Sequence, residues 1–113
     1  MRYISGMGWT VETVSAVDSE IEALPVKLRA RLIRLLEVVE NVGLEALRGP
    51  HVKHLAGKLW ELRVKVEGGI ARGIYVTVAE KRVVILHVFA KKSRRTPRRV
   101  LETARKRMQQ VTP

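Results

Sequence analysis

The 113-residue sequence has no cysteine, which excludes a disulfide framework, a cysteine nucleophile and a thiolate-bound zinc. The fold must therefore hold by packing. Long apolar runs are also lacking near the N-terminus, where Ser5, Gly6, Gly8 and Glu12 interrupt them, so neither a signal peptide nor a membrane span is read there. The expected localisation is cytoplasmic. Metal-ligand spacing is absent as well: three histidines stand without a supporting carboxylate cluster, and neither a metal nor any other cofactor is expected. No internal repeat or low-complexity tract divides the chain, and its length suits one domain spanning 1–113.

Acidic residues are scarce in one half only. Residues 1–50 hold six basic and seven acidic side chains, a balance of −1, whereas residues 51–113 hold sixteen against four, a balance of +12; together these make the net +11. A field concentrated in this way suits a polyanion, because each phosphate neutralised releases condensed counterions. A solubility surface would mix signs, and an anionic membrane would call for a long amphipathic helix with bulky aromatics. Nucleic acid is the expected partner, and no membrane is.

Trp9 to Val14 reads as a short strand. Asp18 is placed to cap a short helix carrying Ile21 and Leu24 inward, which Pro25 ends while starting the next. In that second helix Leu28, Leu32, Leu35, Leu36, Val39 and Val42 share one face, and Asn41 with Gly43 marks its exit. From Leu44 to Gly57 no period survives, so a connecting loop is expected. Three strand-like runs follow, Leu59 to Val66, Ile70 to Val78 and Arg82 to Phe89, separated by hairpin-length loops and hence antiparallel. With three-residue loops at 67–69 and 79–81, the core face takes Trp60, Leu62, Val64, Ile74, Val76, Val84, Leu86 and Val88. Glu61, Arg63, Lys65, Gly73, Tyr75, Thr77, His87 and Phe89 then share the opposite, working face. A one-residue slip would invert any strand. Thr96 and Pro97 start a last helix carrying Val100, Leu101, Ala104 and Met108, and nine basic residues lie between Lys91 and Arg107 against one acid, Glu102.

The runs Lys53-His54-Leu55, Gly57-Lys58-Leu59-Trp60-Glu61-Leu62-Arg63, Ala71-Arg72-Gly73-Ile74-Tyr75 and Leu86-His87-Val88-Phe89-Ala90-Lys91-Lys92, with Thr96-Pro97, resemble the phage-derived, HigB-like branch of the RelE/ParE toxin superfamily. The resemblance spans nearly the whole chain. It implies an α+β, RelE-like fold: a small antiparallel sheet, made of the N-terminal strand and the three-stranded meander, packed on an N-terminal helical hairpin with a basic C-terminal helix. It further implies the toxin of a type II toxin-antitoxin system, an antitoxin partner with a helix-turn-helix domain, and cleavage of messenger RNA on the ribosome without a metal. The alternatives are a ParE-like gyrase inhibitor and a non-catalytic nucleic-acid-binding prophage protein.

Such cleavage needs the RNA 2′-hydroxyl to attack phosphorus, with its proton removed, the added charge stabilised and the departing 5′-oxygen protonated. Arg63 and Arg72 match the strand arginines of the family motif and suit two phosphate oxygens, although an exposed strand charge paired with Glu61 is the plainer reading of Arg63. The expected register puts Arg72 on the apolar face, which leaves a local bulge or a reach around the sheet edge. Lys91 and Lys92 follow the last strand, where the family keeps part of its site; a solvated turn is the plainer reading. His87 has the pKa range of a general base, yet a strand histidine is more often packed. Lys53, His54, Lys58, Tyr75, Arg94 and Arg95 are expected to contact RNA. Some relatives carry a catalytic tyrosine or histidine near the C-terminus, and this chain has neither after His87.

Overall fold

The structure, a computed structural model, describes residues 2–5, 8–47, 49–91 and 95–111, with backbone alone at 2–5. Lys92 and Arg94 lie outside the described residues. The element order is β1 (Arg2–Ser5), β2 (Thr10–Thr13), α1 (Ser15–Glu22), α2 (Val26–Asn41), two single 3-10 turns (Leu44–Ala46 and Gly49–His51), β3 (Val52–Ala56), β4 (Leu59–Val66), β5 (Gly69–Val78), β6 (Arg82–Ala90) and α3 (Arg98–Met108). The strands form one sheet in the order β1-β2-β6-β5-β4-β3. The α+β class, the helical hairpin, the three-stranded meander and the basic last helix are all present.

The sheet is mixed, not antiparallel. Strand β2 lies parallel to β6, because the two helices between them carry the chain back to the end from which it started. The expected loop after Leu44 is only partly a loop: residues 52–56 form β3 and pair antiparallel with β4. Its polar composition concealed it, since an edge strand with two exposed faces leaves no alternating pattern. Strand β1 was likewise not expected.

Helix α1 starts three residues before Asp18, so Asp18 is not the cap. Its Oδ1 instead accepts a hydrogen bond from Thr13 Oγ1 at 2.9 Å, tying the helix to the end of β2. Helix α2 begins directly after Pro25 and buries Leu28, Leu32, Leu35, Leu36 and Val39 as spaced. Val42 lies beyond its last residue and is 70% exposed, so it is not core.

The register of the meander decides the rest. The turn between β4 and β5 has two residues, Glu67 and Gly68, with Val66 opposite Gly69 and Gly68 at φ +83°. Gly69 is therefore a strand residue, and a Cβ there would meet Leu28 Cδ1 of α2 at 3.2 Å. The second turn has the expected three residues, with Val78 opposite Arg82. One bulge then intervenes: Ile74 faces His87 but Tyr75 faces Ile85. Because directly paired residues share a face, Leu62, Val64, Ala71, Tyr75, Val83, Ile85 and Val88 join the face that packs on α1 and α2. Glu61, Arg63, Lys65, Ile70, Arg72, Ile74, Val76, Val84, His87 and Phe89 occupy the other. Relative to the sequence expectation, most of β5 has turned over, and Ile74, Val76 and Val84 have left the hairpin face.

The second face is therefore partly apolar, and α3 covers part of it. Val100 and Ala104 are buried there, and Leu101 and Met108 pack against the core at their side. Glu20 of α1 and Arg107 of α3 finish the edge of β6 beyond the end of β2. Glu20 Oε1 accepts from the Val88 N–H at 2.9 Å, and Arg107 Nη1 donates to the Leu86 carbonyl at 3.0 Å. No helix among the described residues is long and apolar enough to cross a membrane.

Candidate nucleic-acid interface

The part of the second face beside α3 carries a ladder of cations. In one row Lys53 of β3 pairs with Glu61 of β4, which pairs with Ile74 of β5, which pairs with His87 of β6. In the next, Arg63 pairs with Arg72 and Arg72 with Phe89. In the third, Lys65 pairs with Ile70, whose carbonyl accepts the Lys91 N–H at 2.8 Å and so brings Lys91 into line. The two-residue turn creates this arrangement. The three-residue turn expected from the sequence would have put Arg72 opposite Val64, against the helices. Neither a bulge at Arg72 nor a reach around the edge is needed.

Like charges directly opposite one another on neighbouring strands destabilise a sheet. Here Glu61 compensates. Its side chain is fully buried, its Oε1 receives Arg72 Nη1, and the same oxygen lies 4.0 Å from Arg63 Nε. Arg72 is itself buried, while the Arg63 side chain is 40% exposed. The Nε atoms of both arginines are buried without a hydrogen-bond partner. Burial lowers the Arg72 pKa from its ordinary value. Lys91 also loses proton affinity, through burial first and then through the charges of Arg72, Arg63 and Lys53. Lys91 thus feels the other three cations across the face, with the Glu61 carboxylate among them.

Two hollows flank the ladder. One, of about 380 Å³, wraps the edge of β4 between Arg31 and Leu35 of α2 and the side chains Arg63, Lys65, Ile70 and Arg72. The other, of about 360 Å³, lies between the end of β6 and the start of α3, with Lys91, His87, Phe89, Pro97 and Arg99 in its wall.

The remaining expected site residues are distributed differently. His87 is largely buried, with Nδ1 2.9 Å from Glu20 Oε2 and 3.3 Å from Arg107 Nη1, and its ring lies 5.2 Å from Phe89. It adjoins the ladder while serving as a tie between α1, β6 and α3. Tyr75 is 3% exposed and turned toward the helices, and burial pushes its hydroxyl up to about 12. The bulge and the shorter turn move it off the cationic face. His54 is exposed on the edge strand, with Nε2 2.7 Å from the Gly57 carbonyl and its ring edge-on to Trp60 at 5.1 Å. Lys58 is exposed in the β3–β4 turn, beside a groove of about 870 Å³ that also touches Trp60, Val76 and Met108. Arg95 is exposed where the chain approaches α3. Among the described residues no group of three or more histidines and acids is placed to ligate a metal.

Two residues gain importance that the sequence did not confer. Glu61 lies at the centre of the ladder, and Thr96 Oγ1 donates to its second oxygen, Oε2, at 2.8 Å. The available signal for Glu61 was its rarity, as one of four acids in the basic half.

A family model described as Phage derived protein Gp49-like (DUF891) matches residues 19–109. The chain belongs to this phage-derived Gp49-like family. The match runs from within α1 to just past the end of α3 and contains the whole cationic ladder. Among solved structures, the Gp49-like chain is similar to a double arginine-to-alanine mutant of the E. coli toxin RelE in the free state. That likeness has a TM-score of 0.56 at 20% identity and covers 90% of this chain and 99% of the other. It is also similar to an archaeal RelE–RelB complex from Pyrococcus horikoshii OT3, with a TM-score of 0.53 at 22% identity, covering 74% of this chain and 96% of that one. At these identities the likeness shows the fold, which is that of RelE. No curated protein matches the sequence. The phage-derived, RelE-like kinship read from the Trp60–Arg63 and His87–Lys92 runs is thus borne out.

Proposed function

We propose that this protein is the toxin of a type II toxin-antitoxin system and a ribosome-dependent endoribonuclease that cleaves messenger RNA without a metal. The observation carrying this reading is the direct pairing of Arg63 with Arg72 over one buried acid, with Lys91 close enough to feel the charges of Arg72, Arg63 and Lys53. Such crowding opposes folding, so a ligand with concentrated negative charge is its natural complement. A phosphodiester approaching its pentacovalent transition state gains charge on the oxygens nearest these cations, and donors already aimed there need no reorganisation.

In this reading Arg63, the more exposed guanidinium, holds the scissile phosphate, and Arg72 adds charge from beneath. Lys91, with its proton affinity lowered, serves as the proton-transfer group at the reacting oxygens. Lys53 and Lys65 track the flanking backbone, with Lys58, His54 and Arg95 further out. The site acts in the cytoplasm, where ribosomes are. The neighbour described as a RelE–RelB complex supports an antitoxin partner, one able to mask this face with acidic side chains.

The test is in vitro translation with purified protein, mapping 5′ ends on the template. Cuts in translated message are expected, and they should fall on the order of a hundredfold with Arg63→Ala, the usual effect of removing one transition-state donor. An intact template in an arrested reaction would reject cleavage and leave a binding role, such as gyrase inhibition, for separate assay.

A further inference from the structure

An acid inside an anion-binding site repels the ligand the site exists to hold. Glu61 stands there nonetheless, fully buried, with its two oxygens committed in different directions. Oε1 takes the Arg72 guanidinium of β5 and lies 4.0 Å from Arg63 Nε of β4, and Oε2 accepts the hydroxyl of Thr96 on the segment leading into α3. Without a carboxylate between them, Arg63 and Arg72 would repel each other and splay. With a carboxylate free to rotate, they would be neutralised but not aimed. The bond from Thr96 removes that rotation, because an oxygen held at 2.8 Å fixes the carboxylate plane and leaves the other oxygen facing the arginines.

We propose that Glu61 is a positioning residue, anchored by Thr96, that sets the separation and orientation of Arg63 and Arg72 so that Arg63 receives the phosphodiester with the charge of Arg72 directly beneath it. This rests on the reading of the ladder as a phosphate-cleaving site. It differs from two simpler roles. A carboxylate that only tempers excess positive charge would weaken RNA binding, so its removal would strengthen both binding and cleavage. One that only stabilises the fold would alter melting, with any loss of cleavage following loss of folded protein.

The experiment compares Glu61→Gln, Thr96→Val and Thr96→Ser with the unaltered full chain. Three quantities are read: affinity for a short RNA made uncleavable by 2′-O-methylation, the cleavage rate at saturating template in translation, and the arginine Nε–H NMR signals of the free protein. Both Glu61→Gln and Thr96→Val are expected to bind the uncleavable RNA at least as tightly as the unaltered protein. Both should cleave slower by on the order of a hundredfold, the penalty of misplacing a reacting group by about an ångström. Thr96→Ser should restore the rate, and the Nε–H signals of Arg63 and Arg72 should move in both impaired variants.

Cleavage that merely tracks affinity overturns the proposal. So does Thr96→Val with an unaltered rate and unmoved arginine signals. If Glu61→Gln fails to fold, Thr96→Val decides alone, since it keeps every charge. If the unaltered protein cuts no RNA, the nuclease reading fails, and the NMR arm still judges the positioning of the two guanidiniums: signals unmoved by Thr96→Val sink it.

Discussion

Glu20 on α1 and Arg107 on α3, 87 positions apart in sequence, meet at 2.8 Å across the edge of β6. The same carboxylate takes the Val88 N–H and lies against His87 Nδ1, so one side chain ties together both helices and the strand between them. Burial raises its pKa, but the hydrogen bonds from His87, Val88 and Arg107 outweigh that, and the net displacement is downward from 4.5. A depressed carboxylate stabilises the fold above its unfolded pKa and ceases to as pH falls through the folded value. Stability should therefore drop in acid below about pH 4.5, and Glu20→Gln should flatten that limb. At neutral pH Glu20→Ala should cost about 1–3 kcal/mol, because Val88 loses its acceptor and Arg107 its partner. Urea titrations of both variants across pH check this.

Arg63 and Arg72 should separate on stability. Arg72→Ala leaves Glu61 buried without its close partner and should destabilise by about 3–5 kcal/mol. Arg63→Ala, from a 40% exposed side chain lying 4.0 Å from that acid, should stay within about 0.5 kcal/mol. Denaturant midpoints decide, and equal losses would show that the carboxylate is shared more evenly than the geometry indicates.

Lys91 should titrate below the ordinary 10.5 because burial and the charges of Arg72, Arg63 and Lys53 disfavour its ammonium form. Removing one of those cations relieves repulsion, so Arg63→Ala should move the titration upward, toward the ordinary value. NMR titration of the Lys91 side chain reads the direction. A downward move, or none, would place Arg63 outside its electrostatic reach.

Binding of single-stranded RNA should weaken steeply with salt. If three to four phosphates are neutralised at the ladder, the slope of log K against log salt should be about −2 to −3, and Lys53→Ala should make it shallower by about 0.7. Affinities measured across a salt series check both values. A slope unaffected by Lys53→Ala would exclude β3 from the interface.

Much of the scaffold was legible because burial writes a period into a sequence. The α2 stripe from Leu28 to Val39 and the three meander strands fall where their apolar spacing puts them, since each presents a face that must leave water. Strand β3 was hidden because Lys53 and His54 are exposed at an edge, where no pattern is imposed. Arg72 was assigned to the wrong face, because Gly69 reads equally well as a turn or as a strand residue. Glu61 and Thr96 lie 35 positions apart, and nothing local announces their bond.

The chain's own residues, taken alone, determined that this would be a basic α+β protein of RelE kinship, with its positive charge in the second half and its arginines on the meander. The charge and the α+β class follow from composition and local periodicity, which act over a few residues at a time, and the kinship from the resemblance of the Trp60–Arg63 and His87–Lys92 runs. Only the tertiary structure decided that Arg63 faces Arg72, that Tyr75 turns inward and that one buried acid lies among four cations. The reason is that strand register depends on a single turn residue: Gly69 pairs with Val66 as the first residue of β5, and that one-residue difference sets which side chains share the face of Arg63 and Arg72.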